Sequence, residues 1–278
     1  MANVYQDKVC VITGAASGIG RALAISLAES GAKLALSDIN ADGLSETVDM
    51  VGGPNRVMSD VFDMADARAI ADYAGKVESV IGAADYVFNV AGLTRVGNFE
   101  DTPLESMEKV MDVNYWGVVR MSKAFLGQVI DRKGTFVNIS SVFGLIGYAG
   151  QTHYCASKFA VRGFTETLAQ ELKGTGVGIC CVHPGGVATN VARNAKVDKL
   201  PDNAMTREEM DANFDKMAIT SPAKAADIIL KGAAKKKRRI LIGGDARFIS
   251  FVSRLFPVAY AKILEKYSGD NVILRNKP

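Results

Sequence analysis

What the chain lacks narrows its chemistry before any motif is read. Its four cysteines, Cys10, Cys155, Cys180 and Cys181, are scattered without the close paired spacing of a metal site. Cys10 and the adjacent Cys180 and Cys181 fall in apolar stretches read as buried strands, where a thiol packs as a small apolar group. No disulfide framework and no metal follow from them. Histidine is nearly absent: His153 and His183 stand alone, and each reads as a packing or capping residue. Charge is close to balanced, 33 basic against 30 acidic residues, so a net +3 does not call for a nucleic-acid partner. The opening residues 1–5 have no signal-peptide core, which leaves a cytoplasmic location as the expectation. No repeat or low-complexity linker interrupts the 278 residues, and one domain spanning 1–278 fits that length.

Glycine, by contrast, is abundant and placed. Lys8-Val9-Cys10-Val11-Ile12-Thr13 is mostly apolar and β-branched, the pattern of a buried parallel strand. It runs into Gly14-Ala15-Ala16-Ser17-Gly18-Ile19-Gly20, and then into a helix-period stretch from Arg21 that stops at Gly31. Strand, glycine turn and helix form the context of a dinucleotide fingerprint. The glycines let the backbone approach a pyrophosphate, and the helix N-terminus offers it free N–H groups. A tight turn with no ligand is the plainer reading of the same segment. The next strand, Lys33–Asp38, ends in a carboxylate that can accept hydrogen bonds from ribose hydroxyls and repel a 2′-phosphate. Ser37 and Ile39 flank Asp38 with no cation, which favours NAD over NADP.

Tyr154 and Lys158 carry the chemistry. On a helix, four residues apart means one face, one turn apart. A phenol ionises near 10 in isolation, and a fixed ammonium beside it lowers that value. The pair can thus serve as proton donor and acceptor for an alcohol and its carbonyl. The spacing alone also marks many solvated helix faces.

Together these motifs make the chain similar to the short-chain dehydrogenase/reductase family in its shorter form. Further elements fall in that family's order. Asn89-Val90-Ala91-Gly92 resembles its Asn-Asn-Ala-Gly element, with Val90 in place of the second Asn, which puts one strand contact in question. Asn114 matches the active-site asparagine, and Ser141, thirteen residues before Tyr154, matches the catalytic serine in preference to Ser140. Pro184-Gly185 with Val187 and Thr189 resembles the loop that receives the nicotinamide carboxamide. The resemblance covers most of residues 8–243. It implies catalytic roles for Asn114, Ser141, Tyr154 and Lys158. It implies cofactor contacts from Gly14, Ser17, Gly18, Ile19, Gly20 and Asp38, from Asp60 and Val61 at the adenine, and from Asn89, Ala91, Gly92, Tyr154, Lys158, Pro184, Gly185, Val187 and Thr189. Asn114 would hold a water that links Lys158 to solvent. A homotetramer or dimer is also implied.

The expected fold is α/β, a Rossmann-like doubly wound sheet of about seven parallel strands with helices on both faces. Strands are expected at about Arg56–Asp60, Thr135–Ser140, Val177–His183 and Ile240–Ile242, and a long helical stretch over Pro103–Arg132. The basic run Lys235–Arg239 reads as the exposed end of a helix beginning near Ala223, where cations suit the dipole, in preference to a nucleic-acid or lipid patch. Two regions leave the pattern. Residues 190–218 read as a substrate lid. The apolar extension at about 246–278 opens with a stretch to Tyr260, broken by Pro257 and spaced by arginines. That stretch is too short and charged to span a bilayer, and its three readings are a pocket wall, a subunit contact and, less favoured, a membrane surface.

The function expected is hydride transfer between NAD and a secondary alcohol or ketone, with apolar Phe143, Leu145, Ile146 and Tyr148 favouring a hydrophobic one. Two alternatives stay open: an NADP-dependent 3-oxoacyl-thioester-type reductase, and a dinucleotide-binding regulatory protein without catalysis.

Overall fold

The computed structural model describes residues 4–53, 57–189, 195–198, 206–209, 212, 216 and 218–268. Its frame is set by short runs of alternating side chains that are buried on both faces. In β1 (Val9–Thr13), Cys10 and Ile12 point into one core, while Val9 and Val11 point into the other. A strand buried on both sides requires helices above and below, and parallel neighbours supply them through crossovers.

The sequence alternates accordingly. After β1 come α1 (Gly18–Glu29), β2 (Lys33–Asp38), α2 (Ala41–Met50), β3 (Val57–Val61), α3 (Ala67–Ile81) and β4 (Tyr86–Asn89). Then follow a two-residue β5 (Arg95–Val96), α4 (Leu104–Met111), a π-helical turn (Asp112–Trp116), α5 (Gly117–Ala124), α6 (Leu126–Asp131) and β6 (Thr135–Ile139). The chain continues through a 3-10 turn (Val142–Gly144), α7 (Thr152–Glu171), β7 (Gly178–Pro184), β8 (Lys196–Val197), α8 (Pro222–Ala234), β9 (Arg239–Ile242), α9 (Gly244–Leu255) and α10 (Tyr260–Ser268). Among the described residues the main sheet has seven parallel strands in the order β3-β2-β1-β4-β6-β7-β9. The doubly wound sheet expected from the sequence is the sheet observed.

Each face has its own core. Leu23 and Leu27 of α1, Leu44 and Val48 of α2 and Ile229 of α8 pack on Ile12, Leu36 and Val182. Ile70, Tyr73 and Val77 of α3, with Met121, Phe125 and Val129, pack on Val11, Val87 and Phe136. Local signals explain the helix ends. Asn40, Asp66 and Ser221 cap α2, α3 and α8 through their side chains, and α8 has proline at its start.

Two expectations are refined. The helical stretch over 103–132 is not one helix: it passes through the π turn at Asn114 and breaks again at Phe125, whose ψ is near 1°. A π turn is a common local device at functional sites. The basic run sits at the C-terminal end of α8, where Lys236 donates to the carbonyls of Lys133 and Gly176 and Arg239 pairs with Glu166. Two of its cations thereby close loop ends at the bottom of the sheet.

Most of the expected lid falls outside the described residues. Within the described part, β8 lies parallel to β5, and Asp198 forms an ion pair with Arg95. The C-terminal extension is helical to Ser268, and its residues 269–278 lie outside the description.

Candidate active site

The glycine turn is built by steric exclusion. Gly14 has φ +69°, and a Cβ there would stand 2.8 Å from the Ala91 backbone. A Cβ on Gly20 would stand 2.0 Å from the Gly14 carbonyl oxygen, so α1 packs this close to the turn only with glycine. A Cβ on Gly18, at φ +53°, would stand 3.1 Å from the Thr189 side chain. The turn therefore interlocks with the end of β4 and with the segment after β7. Thr13 reinforces this, because its Oγ1 accepts from the N–H groups of Val90 and Ala91. The strand contact questioned at Val90 is made by its main chain and does not depend on an asparagine side chain.

Above the turn, α1 begins with no acid in its first turn, and the Ser17 side chain makes no capping bond. The partial positive charge of the helix end is thus left for an anion. Asp38 accepts from the N–H groups of Ala16 and Asn40, one per oxygen, at 2.9 Å each. A carboxylate has further lone pairs, so these two bonds fix its orientation and leave capacity for ribose hydroxyls. Arg21 braces the loop from behind by donating to the carbonyls of Ala16 and Gly43 and pairing with Glu46. A dinucleotide fits this cradle: the glycines stand where a Cβ would collide, and an unneutralised helix end faces the turn.

Two of the residues carried over from the family also have partners within the protein. Both oxygens of Asp60 accept from Lys76 of α3, at 2.6 and 2.8 Å, which leaves Val61, largely exposed, as the free side chain at the end of β3. Asn89 is buried, and its amide donates to Asn138, which donates in turn to Thr165. That chain ties β4 to β6 and α7.

The catalytic candidates converge where β4 and β6 end against α7. Gly92 lies between Asn114 and Lys158: a Cβ there would be 3.1 Å from Asn114 Oδ1 and 3.4 Å from Lys158 Nζ. Asn114 is fully buried, and its amide bonds both the N–H and the carbonyl of Leu93. It also donates to Ser157 Oγ, which donates to the Tyr154 carbonyl. The Asn114 side chain is therefore a strut between the loop after β4 and the helix that bears Tyr154.

Ser141 and Ser140 separate cleanly. Ser140 Oγ donates to the Lys158 carbonyl and supports the helix. Ser141 Oγ accepts from the Phe143 N–H at 3.1 Å, and it lies near enough to the Tyr154 phenol to favour its ionised form. His183 at the end of β7 is fully buried and holds the Ser141 carbonyl through Nδ1 at 3.0 Å. A carbonyl accepts only, so Nδ1 carries the proton.

Lys158 corrects an expectation drawn from its spacing. Its Nζ sits 5.6 Å from the Tyr154 ring centroid and donates to the Ile139 carbonyl at 3.0 Å. Burial pushes Lys158 down to about 8, with Cys181 weakly opposing it. The Tyr154 phenol is not pulled down: burial pushes it up, to about 12, with Ser141 opposing the rise. The ring keeps part of its surface open, which tempers that rise. The ammonium is committed to Ile139, and burial sets the direction of the phenol's shift.

At the other rim, Pro184 ends β7, and Gly185 donates to the Ile242 carbonyl. Gly186 donates to Asp245 at 2.6 Å, and Val187 pairs with Thr220. Asp245 and His183 shape the site, yet neither stands out in the sequence by a motif.

Comparison with known proteins agrees with this geometry. The family model described as short chain dehydrogenase matches residues 8–200. A Mycobacterium tuberculosis protein named as an oxidoreductase, SadH, is 43% identical over 264 residues, covering 94% of this chain and 95% of its own. The 3-oxoacyl-[acyl-carrier-protein] reductase FabG of Thermotoga maritima is 35% identical and covers 81% of this chain and 89% of its own. The crystal structure of a Burkholderia phymatum short-chain dehydrogenase/reductase in complex with NAD superposes with a TM-score of 0.80 at 26% identity, covering 98% and 99%. The chain belongs to the short-chain dehydrogenase family, and its class is oxidoreductase.

Proposed function

We propose that the protein transfers a hydride between NAD and a secondary alcohol or its ketone, with an apolar compound as substrate. The observation that carries this reading is the convergence of Asn114, Ser141, Tyr154 and Lys158 beside Gly92, next to the glycine turn and Asp38. Bound NAD would supply the hydride acceptor, seated on Gly14 to Gly20 with its adenosine ribose at Asp38. Ser141 donates a hydrogen bond to the substrate oxygen and orients the reacting carbon. Tyr154 removes the hydroxyl proton during oxidation and returns it during reduction. Lys158, next to Gly92 and tied to Ile139, holds positive charge where a nicotinamide ribose would lie. Positioned proton transfer of this kind contributes about 10²–10⁴-fold to rate. Phe143, stacked on Tyr148 and edge-on to Tyr154, gives the substrate side an apolar wall.

Asp38 supports NAD over NADP, since a 2′-phosphate would meet its carboxylate. Asp38→Ala should weaken NAD by about tenfold, close to 1.4 kcal/mol, and narrow the gap to NADP. Titration of both coenzymes by fluorescence checks this, and an unchanged preference would remove Asp38 from the site. A second reading, an NADP-dependent 3-oxoacyl-thioester reductase, is favoured by the similarity to FabG. Comparing NADH and NADPH in one assay with an acyl-thioester and a simple ketone decides between them. A regulatory protein without catalysis would bind NADH and turn over nothing in a broad alcohol panel.

A further inference from the structure

The solvent side of α9 reverses the usual order of an amphipathic helix. Ala246, Ser250 and Val252 face inward and are buried. Outward, at steps of four, stand Arg247, Phe251 and Leu255, followed by Arg254 and Val258. Phe251 is 62% exposed, Leu255 56% and Val258 91%. Large apolar side chains clustered and flanked by cations leave a face that water alone does not favour.

This face is coupled to the reaction centre at both ends. At the start of α9, Asp245 accepts from Gly186 in the loop after β7. Beyond Pro257, the Tyr260 hydroxyl accepts from the Gly147 N–H at 2.9 Å, between Ser141 and Tyr154 in sequence. The segment therefore bridges two loops that border the cleft.

Charge decides what covers it. From Ala246 to Leu264 the chain contains Arg247, Arg254 and Lys262 and no acid. A second copy packed about a two-fold axis presents the same patch to itself, so these cations would face cations. An anionic bilayer offers both partners at once, phosphate for the arginines and acyl chains for Phe251, Leu255 and Val258. No described helix is long and apolar enough to cross a membrane, which suits a helix that lies in the interface. We infer that α9 and the turn after it dock the protein on an anionic lipid surface, with the mouth of the cleft held beside the bilayer. An apolar alcohol dissolved in the membrane would then reach the site without crossing water.

Docking is read independently of the chemistry proposed above, because retention on vesicles needs no turnover. The full chain is sedimented with extruded phosphatidylcholine vesicles, with and without phosphatidylglycerol. The inference predicts retention on the anionic vesicles, little on phosphatidylcholine alone, and strong weakening in about 0.5 M NaCl, where charge is screened. The pairs Phe251→Ser with Val258→Ser, and Arg247→Glu with Arg254→Glu, should each lower retention by at least about tenfold, with unchanged NADH binding as the control for folding. Absence of retention, retention that salt does not weaken, or retention that both variants keep would overturn it. A variant that lowers the sedimentation coefficient of the free protein without lowering retention assigns the face to a second copy and also overturns it.

Discussion

The two sides of the cleft are held by different forces. On the cofactor side, backbone meets backbone or a short side chain: Gly14 against Ala91, Gly20 against Gly14, the Thr13 hydroxyl against Val90 and Ala91. These contacts are close and fixed by the main chain, and Arg21 braces them from behind, so the cradle is formed before any ligand arrives. On the substrate side, the described contacts are single side chains reaching across surface segments. Arg95 pairs with Asp198, Tyr260 touches Gly147, and Asp245 holds Gly186. Such links loosen and remake at modest cost. The difference separates a binding step common to many reactions from a specificity step that varies with the substrate.

Lys158, at the seam between the sides, gives the largest expected effect. Its ammonium is buried and lowered from 10.5 to about 8, so the folded state binds fewer protons than the unfolded state between those values. Stability should therefore rise as pH climbs from about 8 to 10.5, and below about 8 the buried charge costs about 3 kcal/mol. Lys158→Met removes that cost and leaves the Ile139 carbonyl without its donor. Turnover should fall by about 10²–10⁴-fold while Tm at neutral pH rises by a few degrees, and the alkaline rise in stability should vanish. Activity assays and thermal melts from pH 7 to 10.5 check both halves.

Gly20→Ala probes the cofactor side. The added methyl meets the Gly14 carbonyl, which cannot move aside without opening the turn. We expect about 1–3 kcal/mol of strain, and NADH affinity lower by about tenfold to a hundredfold with the sheet intact by circular dichroism. Arg95→Ala probes the substrate side and should be milder. It frees Asp198 and the end of β8, raising KM a few-fold on the order of 1 kcal/mol with little change in NADH affinity. A loss of NADH binding in this variant would contradict the separation of the two sides.

The cofactor side was the more legible in sequence, for the same reason that it is rigid. A turn that excludes every Cβ must be written in glycine, so Gly14, Gly18 and Gly20 declare it. The alternating strands declare the sheet, because a strand buried on both faces admits few polar residues. Tyr154 and Lys158 were legible as a pair through helical spacing, but the electrostatics were not. The direction of the Tyr154 shift comes from its burial, and Lys158 Nζ is held by Ile139 of β6, neither of which the helical spacing records. Asp245, His183 and the Arg95–Asp198 pair were not legible as site builders, since each is an ordinary polar residue whose partner lies 42 or more residues away. The break in the helix at Asn114 shows the same limit: its amide is drawn to Leu93 by tertiary packing, which no periodicity records.

The central claim is that the Tyr154 hydroxyl, beside Ser141, is the group that moves the substrate proton. Tyr154→Phe keeps the ring packed against Phe143 and removes that oxygen alone. Following NADH absorbance over a panel of apolar secondary alcohols, we predict turnover lower by about 10²–10⁴-fold with NADH affinity within about twofold of the parent. Turnover that survives the loss of the hydroxyl would contradict the account.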